Sequence, residues 1–222
     1  MEDKRLTLFA GHYGSGKTNI AVNYAMHLAG EGKRVCIADL DIVNPYFRTK
    51  DSEAELSAAG IELISPRYAN TNVDLPALPA ESYKLIRDKS VFGIMDIGGD
   101  DRGAYALGRF APSILEENDY RMAFVVNCYR PLTSTVEDTV EIMKEIEAAA
   151  GIKFTSIVNN SNLGEETTPE AVMDSLDYID KLCRATGLEL WMHTAQRDVA
   201  EQLTIKNVFA LDLQKKYFDL PD

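Results

Sequence analysis

Apolar and polar positions along this chain follow two periods. Continuous apolar runs of strand length, LTLFA (6–10), RVCIADL (34–40), IELIS (61–65), VFGIMDI (91–97), RMAFVVN (121–127), FTSIVNN (154–160) and LELWMH (188–193), alternate with stretches of helical spacing. After the first run Ile20, Tyr24 and Leu28 recur beside Ala21, Ala25 and Ala29, an apolar stripe that ends near Gly30 and Gly32. The clearest helix pattern spans Thr135 to Ala150, with Val136, Val140, Ile142, Met143 and Ile146 on one stripe. Strands apolar on both faces and separated by helices predict an α/β fold: a mostly parallel sheet of about seven strands with helices on both faces, a three-layer sandwich. No repeat, low-complexity tract or linker divides the chain, so a single domain is expected over residues 1–222. One segment has no period: SPRYANTNVDLPALPA (65–80), with three prolines. A loop that long in a compact domain is usually functional or disordered.

The first strand runs into a turn that changes the picture. RLTLFAGHYGSGKT (5–18) ends in the phosphate-loop pattern GxxxxGK[ST]. Gly11, Gly14 and Gly16 let the backbone turn with its N–H groups inward around phosphate oxygens, Lys17 reaches the terminal phosphates, and the Thr18 hydroxyl ligates Mg²⁺. The helix that follows adds the favourable end of its dipole. Candidate nucleotide-binding residues are therefore Gly11, His12, Tyr13, Gly14, Ser15, Gly16, Lys17, Thr18 and Asn19.

In a parallel sheet the strand C-terminal ends share one edge, and ligands sit in the crevice outside it. Strand two ends in ADLDIVNPYFR, with Asp39 and Asp41 two residues apart, and strand four in DIGGDDRG, with Asp96 ahead of Gly98 and Gly99. Carboxylates beside Lys17 and Thr18 suit Mg²⁺, which keeps most of its waters and is held by few protein oxygens. The alternative for Asp39 and Asp96 is that they cap the turns that follow.

Composition narrows the partners. Asp and Glu number 35 against 23 Lys and Arg, a net charge of −12, so the broad basic surface that nucleic acid or an anionic membrane draws on is not expected. Cys36, Cys128 and Cys183 are far apart with no CxxC, which speaks against disulfides, structural zinc or a bridging iron–sulfur cluster. A charged N-terminus and the lack of a long apolar run predict a cytoplasmic protein.

GHYGSGKT, DLDIVNP, DIGG and a late strand ending in Asn, in this order over most of residues 5 to 160, resemble the SIMIBI class of P-loop NTPases, and within it the MinD/ParA type. The resemblance implies ATP and Mg²⁺ as ligands. It implies a water-activating role for Asp41, Mg²⁺-shell roles for Asp39, Asp96 and Thr18, γ-phosphate sensing at Gly99, and an adenine contact at Asn159, which has Asn160 next to it. Lys17 and Asp41 become the candidate catalytic pair. Dimerising members carry a second lysine where this chain has His12; Arg48, Arg102 and Arg130 are candidates for the missing charge. The [NT]KxD guanine signature of the GTPase branch is not matched by VNNSN. The expected function is thus an ATPase switch, in a homodimer, acting on a protein or small molecule at the 65–80 loop. Rival readings are an ATP-dependent phosphotransferase or ligase resembling dethiobiotin synthetase, with Tyr68, Asn70, Asn72 and Asp74 in its pocket, and a non-catalytic ATP-bound scaffold.

Overall fold

The computed structural model describes residues 3–40, 49–65, 82–99 and 101–213. In chain order these form β1 (Leu6–Ala10), α1 (Lys17–Gly30), β2 (Val35–Leu40), α2 (Glu53–Ala58), β3 (Glu62–Ile64), α3 (Tyr83–Arg87), β4 (Phe92–Ile97), α4 (Asp101–Gly108), α5 (Ala111–Glu117), β5 (Tyr120–Val126), α6 (Val136–Ala150), β6 (Ser156–Asn159), α7 (Pro169–Asp174), α8 (Leu176–Thr186), β7 (Glu189–Gln196), α9 (Arg197–Ala200) and β8 (Val208–Leu211). The strands make one sheet in the order β3-β2-β4-β1-β5-β6-β7-β8, with every neighbouring pair parallel. The eighth strand was not expected. It is a four-residue edge strand in which only Leu211 is buried, so its apolar signal is weak.

The central strands are buried along their whole length, as a sheet covered on both faces requires. Side chains alternate between the faces. Leu6, Leu8 and Ala10 of β1, Cys36, Ala38 and Leu40 of β2, and Met95 and Ile97 of β4 join one core with α4, α5, α6 and α8. Phe9, Val35, Ile37 and Ile94 join the other, under α1. The sequence-predicted stripe of α1 is what packs there: Ile20, Ala21, Tyr24, Ala25 and Leu28 are all buried. Tyr24 and Phe9 meet Trp191 of β7, edge-on and stacked respectively, which ties this face together across the sheet. The longest helix, α6, starts at a Thr135 cap whose hydroxyl accepts from the Asp138 N–H and ends at a left-handed Gly151.

β1 lies between β4 and β5, while the chain leaves it for β2 on one side and later crosses to β5 on the other. The reversal opens a crevice at the C-terminal end of β1. No helix among the described residues is long and apolar enough to cross a membrane.

Candidate nucleotide-binding site

Between Ala10 and Lys17 the chain makes the tight turn that the glycines foretold. Gly11 presses against β5, where a Cβ would sit 2.3 Å from the Val125 carbonyl oxygen. Gly16, with φ of 89°, is the residue before α1, and a Cβ there would sit 2.2 Å from the Asn160 amide nitrogen. Neither position admits another side chain. Inside the loop the Ser15 N–H donates to the His12 carbonyl at 3.2 Å and the Lys17 ammonium donates to the same oxygen at 3.1 Å. Lys17 is thus buried and folded back over the loop. The Ser15 hydroxyl is buried beside Gly11 with no hydrogen-bond partner among the described residues, a polar atom held ready where an anion would satisfy it. His12 is half-buried, with its Nδ1 3.1 Å from the Tyr13 carbonyl oxygen; Thr18 and Asn19 stand in the first turn of α1, also half-buried.

One flank of this loop is acidic. The β2–β4 register pairs Asp39 with Asp96, and the β1–β4 register pairs Asp96 with Phe9. By alternation all three lie on the α1 face, the side on which Thr18 begins its helix. Asp39 and Asp96 are 2% and 1% exposed. Two carboxylates on adjacent strands, about 5 Å apart in backbone spacing and out of water, are mutually repulsive unless a cation or donors intervene. Thr49, fully buried, is one such donor: its hydroxyl gives a hydrogen bond of 3.2 Å to Asp96 Oδ2. Gly99 then brings the chain against the phosphate loop, where a Cβ would lie 2.6 Å from the Tyr13 nitrogen. Among the described residues no three His, Cys, Asp or Glu cluster into a metal cage. A hydrated Mg²⁺ does not need one; two carboxylates and a hydroxyl are a fitting donor set.

The other flank is built of amides. Asn159 does not face the loop. The alternation that puts Val158 on the α1 face sends Asn159 to the opposite one, where its amide reaches Ser175 Oγ at 2.9 Å and lies 3.0 Å from His193 Nδ1, and its oxygen accepts from the Ser161 N–H. Its carboxamide is engaged on the face opposite the phosphate loop. Burial lowers the pKa of His193 and keeps the ring neutral, as an acceptor for that amide. Asn160 is the residue that meets the loop: its amide donates to the Ser15 carbonyl at 2.6 Å, while its oxygen accepts from the Thr194 hydroxyl at 2.7 Å. Beside it, fully buried Asn127 at the end of β5 accepts from the N–H groups of Tyr129 and Asn162 and donates to the Asn162 carbonyl. The loop it braces carries Arg130, whose Nε lies 3.6 Å from the Cβ position of Gly14.

Asp41, Arg48 and the whole run Tyr68, Asn70, Asn72 and Asp74 lie outside the described residues, as does the side chain of Arg102. Thr49 went unremarked in the sequence because it follows no strand and matches no motif; only the fold brings it to Asp96. Asn160 was within reach, since period-two counting from Val158 assigns it to the face of the phosphate loop.

No protein-family model matches the chain. No curated protein matches it either. Among solved structures it is similar to the cell division protein FtsY of Thermotoga maritima (18% identity, TM-score 0.60, 87% of this chain and 62% of that one). It is also similar to FtsY of Mycoplasma mycoides (16%, 0.58, 87% and 61%) and to the signal recognition particle 54 kDa protein of Aeropyrum pernix in complex with GDP (16%, 0.55, 86% and 41%). The chain thus spans less than two thirds of the length of each of these proteins. At such identities the likeness carries the fold alone, one parallel sheet with helices on both faces.

Proposed function

We propose that this protein is a Mg²⁺-dependent ATPase of the MinD/ParA type, acting as a nucleotide switch. The observation that carries this reading is the in-register pair of buried carboxylates, Asp39 and Asp96, on the helix face of the sheet beside a complete phosphate loop. Thr18, Asp39 and Asp96 would hold Mg²⁺, which supplies neutralisation of phosphate charge. Gly11 to Asn19 bind the phosphates through backbone N–H groups, with Lys17 leaving the His12 carbonyl for them. Asp41 is assigned to orienting the attacking water. Thr49 and Gly99, one bonded to Asp96 and the other packed on Tyr13, are placed to report the state of the site to the segments that carry them.

ATP rather than GTP is favoured by the residues after β6, Asn160, Ser161, Asn162 and Leu163, which offer no carboxylate to accept from guanine. A switch is favoured over group transfer to a small molecule by Tyr13, which stands 56% exposed on the phosphate loop, an aromatic surface suited to a second protein chain. A homodimer is the partner we assign first.

Calorimetry with Mg-ATP and Mg-GTP, on the wild type and on Lys17→Ala, tests the reading. ATP binds tighter than GTP, and Lys17→Ala loses both. Equal ATP affinity in the variant would overturn the assignment of the loop, and tighter GTP would overturn the choice of base.

A further inference from the structure

We infer that Arg130 is a phosphate-reading arginine, supplied in cis to a nucleotide held by the phosphate loop of the same chain. The inference rests on the nucleotide-binding reading above and deepens it.

Its guanidinium group lies along the loop. Nε and Cζ are 3.6 and 3.8 Å from the Cβ position of Gly14, the loop's midpoint. Gly14 has no side chain and a φ of 75°, so only backbone separates the arginine from the concavity that the loop encloses. The side chain of Arg130 has no hydrogen bond or ion pair among the described residues, in a chain where acidic residues outnumber basic ones by 35 to 23. An exposed arginine in such a protein finds a surface carboxylate easily, as Arg34 and Arg197 do with Asp88 and Asp212. Arg130 is held beside an anion cradle instead.

The holding is done by backbone. The Arg130 N–H donates to the Asn127 carbonyl at 3.1 Å, and its own carbonyl accepts from the Thr133 N–H at 3.0 Å. The Thr133 hydroxyl closes on the Asn127 carbonyl at 2.6 Å, and Pro131 fixes the residue that follows. Arg130 itself is extended, with φ of −90° and ψ of 138°, as a residue before proline prefers. Tyr129, next in the loop, is anchored by its hydroxyl to the Ala171 carbonyl at 2.6 Å. Asn127 ties this turn to the Asn160–Asn162 stretch that also grips Ser15. The arginine and the phosphate loop are therefore mounted on one hydrogen-bonded frame, and the planar fork of Arg loses little freedom on meeting a phosphate. Lys17 is a point charge inside the loop; Arg130 offers directional donors from outside it.

The test is titration calorimetry of the full chain with two probes, Mg-ATP and Mg-tripolyphosphate, the second having phosphates and no base or sugar. Arg130→Gln, which keeps length and polarity and removes the charge, weakens both about tenfold, the scale of one charge-assisted bond at an exposed site. Arg130→Lys recovers part of the loss, and the melting midpoint of the ligand-free Arg130→Gln protein equals that of the wild type. Wild-type affinities in Arg130→Gln, with both probes lost in Lys17→Ala, would overturn the inference and leave the phosphate-loop reading standing. Weakening of Mg-ATP alone would move Arg130 to the sugar or base. A fall in the ligand-free melting midpoint that accompanies the loss would make its role structural. A wild type that binds neither probe would overturn both readings together.

Discussion

The two flanks of the phosphate loop are built from opposite materials. On the β2–β4 side two carboxylates sit in one row of the sheet, both buried, with Thr49 on one of them. On the β5–β6 side Asn127, Asn159, Asn160 and Asn162 satisfy one another, the backbone and the loop through short, neutral hydrogen bonds. Two buried carboxylates on adjacent strands repel each other unless donors or a cation lie between them, whereas a carboxamide carries donor and acceptor and closes its own network. On the reading proposed above, the acidic flank is the one that answers to a cation, and the amide flank is the frame. The Asn127 turn belongs to the second kind.

Sharp differences in mutational behaviour should follow. Lowering turnover most, Asp41→Asn reduces phosphate release on the order of a hundredfold, the scale of a lost base or water-orienting group, and leaves ATP affinity within a few-fold. A variant hydrolysing at the wild-type rate would move that role elsewhere. Asp39→Asn and Asp96→Asn weaken Mg-ATP about tenfold or more, while the metal-free melting midpoint stays level or rises, because a buried like-charge pair has been relieved. A large fall in that midpoint would mean the carboxylates are structural and would erase the contrast between flanks.

The amide side should respond in the other currency. Asn160→Ala leaves the Ser15 carbonyl without its donor and the Thr194 hydroxyl with only its longer bond to the Asn159 carbonyl, and costs about 1–3 kcal/mol of stability in chemical denaturation. An unchanged denaturation midpoint would show that the frame does not depend on it. The smallest effect is in pH. His193 is buried and neutral, with a folded-state pKa lowered below its ordinary 6.5 by desolvation, the charge of Asp180 opposing the shift. The unfolded chain takes up the proton first on acidification, so this residue's contribution is present above about pH 6.5 and is lost as the pH falls below it. Denaturation midpoints at pH 7.5 and 5.5 should differ accordingly, and His193→Gln should flatten that dependence; an equal slope in the variant would assign it to other groups.

Much of the site could be read in the residues because its chemistry is local. A strand, three glycines, Lys17 and Thr18 in consecutive positions imply a phosphate loop whatever the rest of the chain does, and the stripe of α1 says which face it buries. Asp39 and Asp96 were legible as strand ends. Alternation also contained the information that Asn159 and Asn160 face opposite ways, and the family pattern pointed to Asn159, whereas Asn160 is the one that meets the loop. β8 escaped because an edge strand half in water needs little apolar patterning.

What the sequence determined by itself, then, is whatever depends on neighbours a few positions apart: strands, helices and the turn of the phosphate loop. Tertiary structure alone decided which strands lie side by side. No local pattern encodes that β4 inserts between β1 and β2, yet this insertion is what sets Asp96 beside Asp39 and Phe9 in one row. The same holds for Thr49 on Asp96, Asn160 on Ser15 and Arg130 beside Gly14, contacts between residues distant in the chain. Such contacts are fixed by how whole faces pack, and packing is a property of the complete set of elements rather than of any one of them.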